Sequence, residues 1–297
     1  MRFVGGLVAL VLVGGAAFFV LTRPAPLPEA ELAGLAGDAT RGETLFWAAG
    51  CASCHAAPEA EGDDKLVLAG GREFPSPFGT FVAPNISQHP EAGIGAWTNA
   101  EIVNAMLRGV SPDGRHYYPA FPYTSYAKMA LQDAVDLAAY LQTLPASDTP
   151  SRAHDLPIHV QWRRPLGGWK LFFQSDDWAL QDVPNETVER GRYLSEALAH
   201  CGECHTPRGP LGALDTARWM AGAPVPGSAR GRVPNITPAE LDWSEAEIVE
   251  YLTSGFTPEY DTAGGHMVEV VENMARLPEE DRAAVAAYLK ALAPIPD

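Results

Sequence analysis

The chain has 297 residues, 46% hydrophobic and 20% charged, with 37 acidic against 21 basic side chains and a formal net charge of −16 at pH 7. That length and apolar content leave room for two ordinary domains, each with its own core, and exclude a disordered chain. The acidic balance excludes a nucleic-acid binder, which needs clustered Lys and Arg, and favours a basic or mixed-charge protein partner. With 28 Gly and 26 Pro, short helices joined by many turns are expected rather than long sheets, so the fold class reads as mainly α.

In chain order, the first feature is Phe3 to Leu21, nineteen residues without a charge, led by Arg2 and followed by Thr22-Arg23-Pro24. As a helix this run extends about 28 Å at about 1.5 Å per residue, close to a hydrocarbon core of about 30 Å. Residues 1–23 are therefore expected to form a single-pass transmembrane anchor in the inner (cytoplasmic) membrane. Arg2 would lie on the cytoplasmic side and the rest of the chain in the periplasm. A cleaved signal peptide ending near Gly15-Ala16-Ala17 is the alternative. Residues 24–37, rich in Pro, Ala and Glu, read as a tether.

All four cysteines fall in two copies of one pattern, Cys51-Ala52-Ser53-Cys54-His55 and Cys201-Gly202-Glu203-Cys204-His205. This is the spacing of c-type haem attachment: each thiol adds to one vinyl group, and the adjoining His is placed under the iron as proximal ligand. Two covalently bound haem c groups are the expected cofactors. A disulfide, a zinc site and a thioredoxin-like pair are the competing readings of Cys-x-x-Cys.

The shift of 150 residues that carries Cys51 onto Cys201 also carries Pro84-Asn85-Ile86-Ser87 onto Pro234-Asn235-Ile236-Thr237. Further on, Trp97-Thr98-Asn99-Ala100-Glu101-Ile102-Val103 matches Trp243-Ser244-Glu245-Ala246-Glu247-Ile248-Val249, and Ala139-Tyr140-Leu141 matches Ala287-Tyr288-Leu289. Each half reads as one module: a helix ending at the cysteine motif, a loop, a helix capped by Thr98 or Ser244, and a last helix with apolar spacing. The modules are expected over residues 38–148 and 186–297. Between them the strap 149–185 contains Pro150, Pro157, Pro165 and Pro184, and Pro145 precedes it; these break up any long helix. Its Trp162-Arg163-Arg164 and Trp169-Lys170-Leu171-Phe172-Phe173 either wedge the modules together or form a docking patch.

Iron held by His and Met has no open position and carries electrons rather than doing chemistry, so the distal ligands decide between carrier and enzyme. In the second module Met267 is the expected ligand, with Met274 a packing residue and His266 exposed beside the ligand. In the first, Met129 is the choice, His116 the runner-up, and Met106 a core residue of an amphipathic helix. An open first iron is the remaining possibility. His89, His154, His159 and His200 read as surface or core histidines.

Gly70-Gly71, Pro77-Phe78-Gly79-Thr80, Pro84-Asn85-Ile86, Gly93-Ile94-Gly95-Ala96-Trp97, Gly109-Val110, Asp113-Gly114 and Tyr118-Pro119-Ala120-Phe121-Pro122-Tyr123 resemble the cytochrome subunits of membrane-bound alcohol, gluconate and related periplasmic dehydrogenases. The likeness runs over about residues 38 to 295. It implies two tandem class I cytochrome c-like domains that take electrons from a periplasmic or membrane-bound dehydrogenase and pass them to the respiratory chain through a soluble cytochrome, an oxidase or quinone. The chain departs from the family in having two motifs where the alcohol dehydrogenase subunits have three, and Phe121 where many relatives have the ligating Met. No catalytic residue of its own is expected. A dihaem subunit of a terminal oxidase is the alternative, followed by a peroxidase-type or thiosulfate-dehydrogenase enzyme; no Cys is left over to ligate a catalytic haem.

Overall fold

The computed structural model describes residues 2–225, 228 and 231–296, without the side chains of residues 2, 4, 5, 7 and 8. The first module contains α2 (Ala39–Ala48), α3 (Cys51–His55), α4 (Asn99–Arg108), a turn α5 (Tyr123–Tyr126) and α6 (Leu131–Leu141), after the N-terminal helix α1 (Arg2–Leu21). A two-stranded antiparallel ribbon, β1 (Glu73–Ser76) with β2 (Gly79–Val82), lies between α3 and α4. The strap contributes α7 (Pro165–Phe173), and the second module repeats the plan: α8 (Glu186–Arg192), α9 (Gly202–His205), α10 (Glu245–Ser254), α11 (Met267–Met274) and α12 (Glu279–Ala291), with the ribbon β3 (Ala223–Pro224) and β4 (Arg232–Val233) after α9. The helices form where the repeat places them. Thr98 and Ser244 each close a full capping box, with Glu101 and Glu247 returning the bond, and Gly109 and Gly255 end those helices in the left-handed region.

Each module is organised by one helix crossing. A Cβ on Gly42 would lie 2.1 Å from the Asp136 carbonyl oxygen, and one on Gly191 would lie 1.9 Å from that of Ala284, so only glycine lets the first and last helices meet this closely. Arg41 pairs with Asp133 at 2.8 Å beside the first crossing, and Arg190 with Asp281 at 2.7 Å beside the second. The second module has one more residue between its glycine and its first cysteine, and Tyr193–Leu198 absorbs it as a π-helical turn.

The single-pass anchor and the inner-membrane placement expected of residues 1–23 are corrected here: among the described residues, no helix is long and apolar enough to cross a membrane. The run does form a helix, Arg2–Leu21, but it does not qualify as a membrane-crossing one. Its end is also fastened to the protein. Thr22 is buried, its carbonyl oxygen faces His116 Nε2 at 2.9 Å, and Arg164 donates to the Phe19 carbonyl. The membrane topology drawn from that anchor goes with it. Arg2, on which the orientation depended, has no described side chain, and Met1 and Asp297 lie outside the described residues.

The centre of the strap is helical and packed. Pro165 occupies the first turn of α7, where its missing N–H costs nothing, so a nine-residue helix forms in spite of the prolines. Arg163 stacks over Tyr118 at 4.7 Å, and Trp169 Nε1 donates to the Leu211 carbonyl at 2.9 Å, which ties the middle of the strap to both modules. Trp162 and Phe172 stay exposed.

His116 belongs to this junction. A carbonyl only accepts, so Nε2 carries the proton given to Thr22, and Nδ1 is left buried without a partner. Burial holds its pKa below the ordinary 6.5, with Lys170 and Arg164 adding to the effect. Above pH 6.5 the ring is neutral in both folded and unfolded chains; below it the unfolded chain takes up a proton that the folded one refuses. Stability is expected to fall with pH in that window by about 1.4 kcal/mol per pH unit between the two pKa values. Urea denaturation at pH 7.5 and pH 5 should show a smaller loss in His116→Gln than in the parent, and equal losses would remove His116 from the account.

Candidate functional site

The two cysteine motifs form matching sites. Cys51–His55 is a single helical turn entered through Gly50 in the left-handed conformation, so both thiols and the imidazole project from one short element. His55 Nδ1 donates to the Pro84 carbonyl at 2.9 Å, and His205 Nδ1 donates to that of Pro234 at 2.8 Å. Each bond fixes the tautomer and leaves Nε2 unprotonated, with its lone pair available to a metal.

The carbonyls are themselves held in place. Asn85 Nδ2 donates to Ser147 O and Thr149 O at 2.9 and 2.8 Å, and its Oδ1 accepts from Ser87 N. Asn235 repeats this, giving to Ile295 O at 2.7 Å and accepting from Thr237 N. Gly70 and Gly222 donate their N–H groups to the carbonyls of His55 and His205, both at 2.7 Å, where a Cβ would collide with the following loop backbone. The Pro-Asn-Ile repeat thus supplies the outer support of each histidine.

The thiols are not paired with one another. Burial pushes Cys51 up to about 12, Cys54 to about 11 and Cys201 to about 12. A reactive dithiol needs a lowered thiol pKa, which burial here opposes, and among the described residues no group of three or more His, Cys, Asp or Glu side chains is placed to hold a metal ion such as zinc. Neutral thiols one turn from an imidazole with a free Nε2 are the donor set that c-type haem attachment uses, and the residues fit that group.

The distal candidates lie as follows. Met267 is half-buried at the start of α11, with His266 exposed before it and stacked on Phe74. Met274, Met106 and Met129 are all buried in the core. Met129 sits one residue before Ala130, the N-cap of α6, just as Leu277 precedes Pro278, the N-cap of α12. Counting from the bridge Val110–His116 and its counterpart Phe256–Thr262, the first-module residue matching Met267 is Phe121, in edge contact with Tyr117, Tyr123 and Tyr126. His89 and His154 accept backbone N–H bonds through Nδ1, from Ala92 and Val82 respectively, and His159 is exposed.

The family model for cytochrome c matches residues 39–145 and 188–293. The chain belongs to the cytochrome c family. This cytochrome is 56% identical over 282 residues to a diheme cytochrome c-type protein of Cereibacter sphaeroides, with 95% of each chain covered. It is 37% identical to the fructose dehydrogenase cytochrome subunit of Gluconobacter japonicus, over 85% of this chain and 52% of the relative. It is 33% identical to the gluconate 2-dehydrogenase cytochrome c subunit of Pantoea cypripedii, over 85% of this chain and 59% of the relative. The cytochrome thus spans a little over half the length of those two dehydrogenase subunits.

Sequence reasoning missed three pairs: the glycines Gly42 and Gly191, the roles of Asn85 and Asn235, and the meeting of Tyr126 with His200 between the modules. An Arg-Gly pair ahead of each cysteine motif was a readable signal for the first. For Tyr126 and His200 there was none, because nothing in the spacing says which side chains meet across a domain contact.

Proposed function

We propose that this cytochrome is a dihaem electron carrier that takes electrons from a dehydrogenase partner and delivers them to a cytochrome, oxidase or quinone. The observation that carries it is the duplicated Nδ1–carbonyl bond, which leaves His55 and His205 each presenting Nε2 beside a pair of neutral thiols. In this reading Cys51 and Cys54 hold one haem covalently and Cys201 and Cys204 the other, with His55 and His205 as proximal ligands. Each group supplies a one-electron iron couple when bound. The chain's part is to exclude water, fix the imidazoles and close the distal positions, for which Met267 and Met129 are the thioethers. The names of the relatives support the dehydrogenase partner.

One observation favours a second reading for the first iron. Met129 stands where the other module has the buried Leu277, a packing position, and Phe121 stands opposite Met267. The first iron would then lack a thioether. Carbon monoxide added to the dithionite-reduced protein separates the two readings. An unchanged spectrum means both irons are closed and supports the carrier; a shift in about half the haem withdraws Met129. Met267→Ala is expected to add carbon monoxide binding at the second haem and lower its midpoint potential, whereas an unchanged potential would remove Met267 as ligand.

A further inference from the structure

The two modules meet through a pseudo-symmetric contact. From the second module, α11 packs on the first motif: Asn273 Nδ2 donates to Ser53 Oγ at 2.8 Å, and Glu269 and Glu272 pair with Arg72 and Lys65. From the first, α5 packs on the second motif: Thr124 and Ser125 donate to Glu203 Oε1 at 3.0 and 3.2 Å. Counting back from the last helices, Tyr126 corresponds to Met274, and counting from the motifs, His200 corresponds to Gly50.

The symmetry is broken where electrons would have to cross. On one side the motif is preceded by Gly50, which has no ring; on the other it is preceded by His200, whose ring meets that of Tyr126 edge-on with centroids 5.7 Å apart. The Tyr126 hydroxyl continues the line, donating to the Ala49 carbonyl at 2.9 Å, and Ala49 is joined to Cys51 through Gly50. Cys51 and Cys54 lie close enough to Tyr126 to influence its ionisation, and Cys204 does the same to Cys54, so both attachment turns border this contact. His200 also holds a left-handed backbone, φ 44°, which a side chain tolerates at a cost and which Gly50, φ 65°, adopts freely. A strained residue kept at a contact points to a use for its side chain.

We propose that Tyr126 and His200 form the electronic bridge between the modules, running from Cys51 through Gly50 to the Ala49 carbonyl, across the Tyr126 hydroxyl and ring to the His200 ring, and into Cys201. The proposal rests on the two-haem reading above. Electron transfer favours covalent bonds first, then hydrogen bonds and van der Waals contacts, over open gaps, and this route contains only those links. With haem held at both motifs, the bridge would carry one electron from the reduced module to the oxidised one, so that one iron couple loses the electron the other gains, with no bond broken and no proton transferred.

Pulse reduction of the oxidised holo-protein followed by transient absorption reads the redistribution of that electron between the haems. His200→Gly is the informative variant because the backbone there already suits glycine, and Tyr126→Phe removes only the hydroxyl link. The expected result is loss of the fast redistribution phase in His200→Gly and slowing in Tyr126→Phe, with both absorption spectra and both midpoint potentials unchanged. Asn273→Ala, which weakens the reciprocal contact, should keep the phase. The bridge is overturned by an unchanged phase in His200→Gly, by equal slowing in Asn273→Ala, or by a parent protein with both haems attached and no redistribution. If small-angle scattering shows that His200→Gly separates the modules, Tyr126→Phe alone decides by the same criterion. Haem-stained denaturing gels distinguish failure of the underlying reading, since a chain with one covalent haem has nothing to bridge.

Discussion

If each cysteine pair holds a haem, as proposed, serine at both Cys201 and Cys204 is expected to remove one covalent haem and leave the other in place at Cys51 and Cys54. A serine hydroxyl does not add to a vinyl group, whereas the backbone of α9 and the His205–Pro234 bond do not depend on sulfur. The loss should therefore be confined to one module. The reciprocal pair, Cys51→Ser with Cys54→Ser, should do the same to the first, and all four together should leave no covalent haem. Acid–acetone extraction followed by the pyridine haemochrome assay on the remaining protein reads the result. Full haem retention in either double variant would falsify attachment at that motif. Loss of both haems from one double variant would mean that the modules do not load independently.

The second large effect concerns stability. Gly191→Ala should destabilise the second module by about 1–3 kcal/mol or more, the usual cost of overpacking. Helix propensity pulls the other way, since alanine is favoured over glycine in a helix interior by about 1 kcal/mol. The clash prevails because the obstructing atom is a backbone carbonyl oxygen, that of Ala284, with the Tyr288 Cβ 2.7 Å away; neither can rotate aside as the end of a long side chain could. Gly42→Ala should act likewise on the first module through Asp136 and Tyr140. Thermal unfolding of the haem-loaded protein is the measurement, and a Gly191→Ala midpoint equal to or above the parent would show that the crossing relaxes. A control at Gly264, where nothing lies within 4 Å of the added carbon, should cost far less.

Much of the architecture was legible because its determinants are local or repeated. Thr98 with Glu101 and Ser244 with Glu247 are contained within one turn each, and both capping boxes form. The duplicated Pro-Asn-Ile-Ser and Pro-Asn-Ile-Thr marked equivalent loops, although the bonds they make, from Pro84 to His55 and from Asn85 to Ser147 and Thr149, span distances no motif discloses. The N-terminal run was read as a membrane span from its length and lack of charge, whereas among the described residues no helix is long and apolar enough to cross; the packing of its end on the strap was also out of reach of any local reading. Thr22, Phe19 and Arg164 meet only after the strap has folded back. The strap's prolines do keep its helices short, and Pro165 marks where one nine-residue helix begins.

By itself the sequence determined the family, the duplication, both cysteine–histidine motifs and the order of helices, since these follow from residue types at short, repeated spacings that any packing must respect. Only the tertiary structure decided which face of each module meets the other, and with it the pairing of Tyr126 with His200, the turning of His116 toward Thr22, and the two helix crossings that only glycine permits. The physical reason is range: a turn of helix or a capping box is settled by bonds between residues three or four apart, whereas a domain contact is settled by shape and charge between surfaces far apart along the chain.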